Sequence, residues 1–137
     1  MEPGNPAWLA GDRTLDAVRA SMDVASMRHA LMAGNIANAR TPGYRPVDVD
    51  FSRAVQAARE KLQAERSGAE PSAARDALSS DAAPHPVADA PFNGISYVDA
   101  HREMARMTEN ALRYGALAQM ASTRLRGLQG IVSEGRR

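Results

Sequence analysis

Eleven positions at unbroken intervals of three and four residues, Tyr97, Ala100, Met104, Met107, Ala111, Tyr114, Ala118, Ala121, Leu125, Leu128 and Val132, carry small, aliphatic, methionine or tyrosine side chains. Such a row is a heptad seam, and it stays covered only when one helix lies along another. The spacing therefore predicts a C-terminal helix over 96–132, about nine turns long. Leu117 and Met120 widen its stripe, and Ser96 or Asp99 can cap its start. Gly115, Gly127 and Gly130 each weaken an exposed helix by about 1 kcal/mol, so the last turns are expected to fray.

The same intervals recur near the other end. Thr14 can cap a helix over 14–38 whose seam runs through Leu15, Val18, Met22, Ala25, Met32 and Ile36, with His29 in the seventh slot. Val24, Met27 and Leu31 add a second stripe, wider than a two-stranded seam needs. The expected fold is mainly α: two long heptad helices forming an antiparallel pair, a single domain, around an irregular, partly extended middle rich in proline. The seams can cover each other, meet neighbouring molecules, or do both.

A thin core makes the neighbours matter. The chain has 137 residues and twenty-seven alanines, whereas Val, Ile, Leu and Phe number only twenty-two. Chains below roughly 20% in those four residues bury little apolar surface of their own. Full disorder is disfavoured by a net charge of only +1. That balance also excludes a strong electrostatic case for nucleic acid or an anionic membrane. With no cysteine there is neither a disulfide framework nor a thiolate metal site. The opening "MEPGNPAWLAGDRT" shows no basic and apolar secretory leader, and no run reaches the roughly 18 apolar residues of a membrane span.

Between the seams the pattern changes. Residues 39–51 read as a turn followed by an extended stretch. Pro42 disfavours helix at Thr41, so the first helix must stop near Asn38, and Pro42-Gly43 fits the centre of a type II turn. Asn35 and Asn38 share the last helical turn, where their amides can satisfy orphan carbonyls or turn amides. In "VDVDF", Val47, Val49 and Phe51 are expected on one side and Asp48 and Asp50 on the solvent side. Gly43→Val is accordingly expected to disturb assembly more than Asp48→Ala. The segment 52–95 begins with a short helix carrying Phe51, Val55 and Leu62 on one side, stopped by Gly68. Prolines at 71, 84, 86 and 91 then forbid a continuous helix, and a loop that orders on contact is expected.

No catalytic constellation emerges. His29, His85 and His101 include no i, i+4 pair and no HExxH, so no metal site is expected; His29 reads as a hydrogen-bonded or rim residue, His101 as part of a solvated face and His85 as exposed loop. Neither a nucleophile elbow nor a phosphate loop is present, and no cofactor is implied. The methionines sit mainly on the seams, where they fill gaps.

Two stretches carry a family resemblance. "NIANARTPGYRPVDVDF" resembles the N-terminal signature of the flagellar basal-body rod proteins, an Asn-x-x-Asn followed by Thr-Pro-Gly-Tyr, and its Asp-Val-Asp-Phe continuation is most similar to the proximal rod branch. "YVDAHREMARMTENALRYGALAQM" resembles that family's C-terminal helix, with a Val-Asp entry and a Glu-Asn-x-Leu-x-Tyr core. Together they cover about half the chain; the leading "MEPGNPAWLAG" and the stretch from Ser67 to Pro91 lie outside the likeness.

The resemblance places the family motif on Asn35, Asn38, Thr41, Pro42, Gly43 and Tyr44, which would end the first helix and shape the bend. It implies a structural subunit that polymerises through its terminal helices and is exported through the flagellar type III channel without a cleaved signal. The implied partners are further copies, other rod subunits, and base components at the membrane ring or export gate, with no nucleic acid and no small-molecule substrate. The assembly seam would then be Leu15, Val18, Met22, Met32 and Ile36 on the first helix, with Tyr97, Met104, Met107, Tyr114, Leu125 and Leu128 on the second. Read without the resemblance, the same faces suit a soluble helical adaptor or chaperone. A helical hairpin that binds oligonucleotides is a third reading, disfavoured by the charge.

Overall fold

The computed structural model describes residues 13–66, 68 and 82–134. Expectations placed on the leading residues 1–12, and on the loop around Pro71, lie outside the described residues. Three helices dominate: α1, Arg13–Ala37; α2, Phe51–Arg66; and α3, Ala100–Glu134. Two short strands, β1 (Val47–Asp48) and β2 (His85–Pro86), pair antiparallel, with Val47 opposite Pro86 and Asp48 opposite His85. The fold is mainly α with long helices at each end.

The heptad logic explains how α1 and α3 meet. Val18, Ala25 and Met32 recur every seven residues on α1 and are all buried. Asn35 meets Glu103 and Ala25 meets Asn110, while Thr14 and Val18 lie across from Gln119, Thr123 and Leu128. Rising numbers on one helix thus meet falling numbers on the other, so the pair is antiparallel. The small side chain of Ala25, fully buried, permits a close approach.

The second stripe of α1 finds its own partner. Val24 forms a cluster with Val49 and Ala54, against which Leu31, Phe51, Val55 and Ala58 pack. Phe51, Ala54, Val55 and Ala58 stand at i, i+3, i+4 and i+7, which places them on one face of α2. Asp50 caps that helix: its Oδ1 accepts from the Arg53 amide at 3.0 Å and its carbonyl from Ala54 at 2.9 Å. A left-handed Gly68, φ 66°, follows the end of α2.

Two details differ from the sequence reading. α3 begins at Ala100, not at Ser96, because the preceding residues are held in a separate turn. Asn93 Oδ1 accepts from the amides of Ile95 and Ser96 at 3.0 and 2.9 Å, and Asn93 Nδ2 donates to the Val98 carbonyl at 2.7 Å. Asp99 takes the capping role, accepting from the Arg102 amide at 3.2 Å. The proline-rich stretch is also structured in its described part: the Val87 amide donates to the Pro46 carbonyl at 2.9 Å, so His85 lies on an exposed strand and not in a free loop.

Candidate functional site

The chain makes its sharpest reversal where α1 ends. The Asn38 amide closes the helix on the Gly34 carbonyl at 3.1 Å, and Asn38 Nδ2 donates to that same oxygen at 2.9 Å. Thr41 then begins a tight turn in which the Tyr44 amide donates to its carbonyl at 3.1 Å. Gly43, at the third position, has φ 71°, which a type II turn demands and a side chain resists. The turn is clasped from outside. The Gly43 amide donates to the Ile95 carbonyl and the Tyr97 amide to the Tyr44 carbonyl, each at 2.8 Å, while Ser96 Oγ donates to the Ala39 carbonyl at 2.7 Å. The two distant motifs therefore form one joint.

Asn35 lies at the centre of that joint, 1% exposed. Its Nδ2 donates to the Val47 carbonyl at 2.9 Å and to Glu103 Oε2 at 3.0 Å. Its Oδ1 accepts from the Val47 amide at 2.9 Å and from the Tyr44 hydroxyl at 3.3 Å. Both amide hydrogens and both lone-pair directions are thereby used. One side chain holds together the end of α1, strand β1, the turn and the first turn of α3. Glu103, also buried, is balanced by Arg106 Nη1 at 3.0 Å. Two turns further along α3, Asn110 Nδ2 donates to the Ala25 carbonyl at 2.7 Å; its Oδ1 is buried without a hydrogen-bond partner.

Arg28 lies seven residues before Asn35, on the same face of α1, and grips the next residue of β1. Its Nε and Nη2 reach Asp48 Oδ1 and Oδ2 at 2.8 and 2.6 Å, a bidentate fork. The Val49 amide adds a bond to Asp48 Oδ1 at 2.8 Å. Asp48 thus turns towards α1 and not to solvent, contrary to the expected alternation: with only two residues in β1, no sheet face enforces it, and the guanidinium decides. Burial pushes the Asp48 carboxyl up, but the Arg28 hydrogen bonds, the Val49 amide and the Arg28 charge outweigh it and leave the group below the usual carboxylate range. The hydrogen bond that Arg28 donates to Asp48 raises Arg28 in turn, against the effect of its own burial.

The predicted seam residues fall into three groups. Val18 and Met32 are buried in the helix pair. Leu15, Met22, Ile36, Tyr97, Met107 and Leu128 are half-buried. Met104, Tyr114 and Leu125 are 52, 41 and 47% exposed. The exposure of Met104 and Leu125 follows the geometry of α3. Of its two heptad rows, the one through Met107 and Leu128 turns towards α1, together with the buried Glu103 and Asn110. The row through Met104, Ala111, Ala118 and Leu125 lies on the flank and spans about 31 Å. Among the motif residues, Thr41, Pro42 and Gly43 are exposed, Asn38 and Tyr44 half-buried. Thr41 Oγ1 donates to Asn38 Oδ1 at 3.2 Å.

Sequence reasoning missed Arg28 and Glu103. The seven-residue spacing of Arg28 and Asn35 was a usable sign, since it puts two polar groups on one line of the helix. Glu103 gave none, because an acidic residue in a first helical turn is ordinary. His29 and His101 are exposed. Among the described residues no group of three or more His, Asp or Glu is placed to hold a metal, and no helix is long and apolar enough to cross a membrane. The arrangement is a mechanical one: it fixes the angle at which two helices leave a shared end.

No protein-family profile matches the chain. Curated proteins similar to it are flagellar basal-body rod proteins. The relatives carry one name, flagellar basal body rod protein FlgB. That of Yersinia ruckeri is 28% identical over 123 residues, covering 84% of this chain and 90% of its own. Those of Salmonella typhimurium and Escherichia coli are 26 and 25% identical, each covering 90% of this chain and 96% of the relative. The likeness therefore extends beyond the two quoted motifs to nearly the whole length on both sides.

Proposed function

We propose that this chain is a structural subunit of the proximal rod of the bacterial flagellum, polymerising through α1 and α3 into the shaft that crosses the periplasm. The observation that carries the proposal is the open row of α3. After α1 has covered one side of that helix, Met104 and Leu125 remain about half exposed on a line of heptad spacing with Ala111 and Ala118 between them. A second helix laid on that row would make coiled-coil-type contacts, with the alanines permitting close approach and the methionine adapting to unequal neighbours. A copy displaced along an axis makes a head-to-tail contact, which propagates and does not close. The near-full-length likeness to FlgB proteins supports the same reading.

In this scheme the Asn35 joint sets the fixed angle of the subunit, and Arg28, Asn35 and Tyr44 are positioning residues. The partners are further copies, the other rod subunits and base components at the membrane ring or export gate. Export proceeds through the flagellar type III channel. The deciding experiment is purification of basal bodies from the source bacterium, with and without the gene. The chain is expected in the rod fraction, and its loss is expected to abolish motility. Presence only in a stable cytoplasmic complex would favour the adaptor reading instead.

A further inference from the structure

Near the middle of the helix pair a groove of about 460 Å³ opens between α1 and α3. Ser26, His29 and Ala30 of α1 form one wall; Asn110, Ala111 and Tyr114 of α3 form the other. One wall carries an unsatisfied group. Asn110 is only 4% exposed, and its Nδ2 is engaged by the Ala25 carbonyl, yet its Oδ1 is buried with no partner among the described residues. An orphaned buried acceptor costs about 1–3 kcal/mol, so an occupant that brings a donor is favoured by that much. We infer that the groove is the seat of an arginine from a second copy of this chain, whose guanidinium donates to Asn110 Oδ1.

Chemistry selects the donor. With Nδ2 engaged, Asn110 offers the groove only an acceptor, and the Tyr114 ring adds a π face for a cation. Among the described residues no lysine or arginine of the chain itself lines the groove. The chain carries sixteen arginines and a single lysine, so the cation that a second copy presents is a guanidinium. That group is also less strongly hydrated than an ammonium and directs five N–H donors. Position selects the second copy. Ala111 belongs to the open row of α3 that runs from Met104 to Leu125, so a helix laid on that row also passes over the groove. Ser26, Ala30 and Ala111 are small and leave room for a long side chain to descend from it. Asn110 Oδ1 lies beneath the groove surface, and Tyr114, 41% exposed and one turn further on, can change rotamer to admit the donor. This inference rests on the reading that copies stack along α3, and it adds the polar contact that fixes their register.

The test is made on purified basal bodies. Photocrosslinking from benzoylphenylalanine placed at Ala33, exposed one turn beyond Ala30, is expected to join the chain to a second copy within one helical turn of an arginine. Ala30→Leu fills the groove from its exposed rim with little change in helix propensity. It should lower incorporation at least about tenfold, while the urea midpoint of the isolated chain stays where it was. Met104→Glu with Leu125→Glu separates this inference from the stacking on which it rests. If that double variant is excluded while Ala30→Leu enters as freely as the unaltered chain, the inference falls and the stacking stands. Crosslinks from position 33 to a different protein, or to a stretch of the second copy remote from any arginine, would also overturn it. Absence of the unaltered chain from basal bodies would remove both.

Discussion

Asn35 and Asn38 are one helical turn apart and chemically identical, yet their surroundings separate them. Asn38 makes a local bond to its own helix, whereas Asn35 fastens three other segments to α1. Asn35→Asp removes the donor to both the Val47 carbonyl and Glu103 and sets a second negative charge beside a buried carboxylate. It should cost about 2–4 kcal/mol in urea unfolding, against about 1 kcal/mol for Asn38→Asp. The Arg28–Asp48 pair has a pH signature. Because Asp48 titrates lower folded than unfolded, the unfolded chain takes the proton first, and stability rises with pH across that interval. The contribution is complete above about pH 4 and fades as the pH falls through the folded value. Asp48→Asn should cost about 1–3 kcal/mol at neutral pH and flatten the acid limb of the stability profile. The positive φ expected at Gly43 is present, but this pair gives Asp48→Ala a cost that its ranking below Gly43→Val did not include, since Asp48 holds β1 to α1.

At the scale of elements, the turn after α1 has one conformational requirement and no steric one. A Cβ at Gly43 would meet no atom within 4 Å, so the penalty at that atom comes from φ. Gly43→Asn should be nearly neutral, while Gly43→Val should cost about 1–3 kcal/mol in thermal unfolding. What the sequence made legible follows the same division. Helix length and amphipathic spacing are local and periodic, so the two long helices could be read from Leu15 to Ile36 and from Met104 to Leu128. The turn could be read because proline and glycine act on the backbone directly. The hydrogen-bonding partners of Asn35 could not, because they depend on Glu103, sixty-eight residues away, arriving in register. The pairing of β1 with β2 was hidden for a related reason: two residues per strand offer no alternation to detect.

For the whole molecule, the decisive contrast is between a firm joint and an open flank. Met104 and Leu125 are 52 and 47% exposed, so replacing both by Glu should leave the stability of the isolated chain within about 0.5 kcal/mol. Under the rod proposal the same double variant should fail to enter basal bodies. Equal incorporation would assign assembly to another face. Hydrogen exchange on the isolated chain should show slow amides around Asn35 and Asn110, with rapid exchange towards the end of α3 that has no α1 beside it. The register of Asn35 with Glu103 places Arg13 level with about residue 125, so α3 continues some 14 Å past the start of α1. Among the described residues the two helices therefore end at different levels. Under the rod proposal, copies whose described helices end at different levels would stack like masonry in a running bond, leaving a twisted column no flat plane along which to slip.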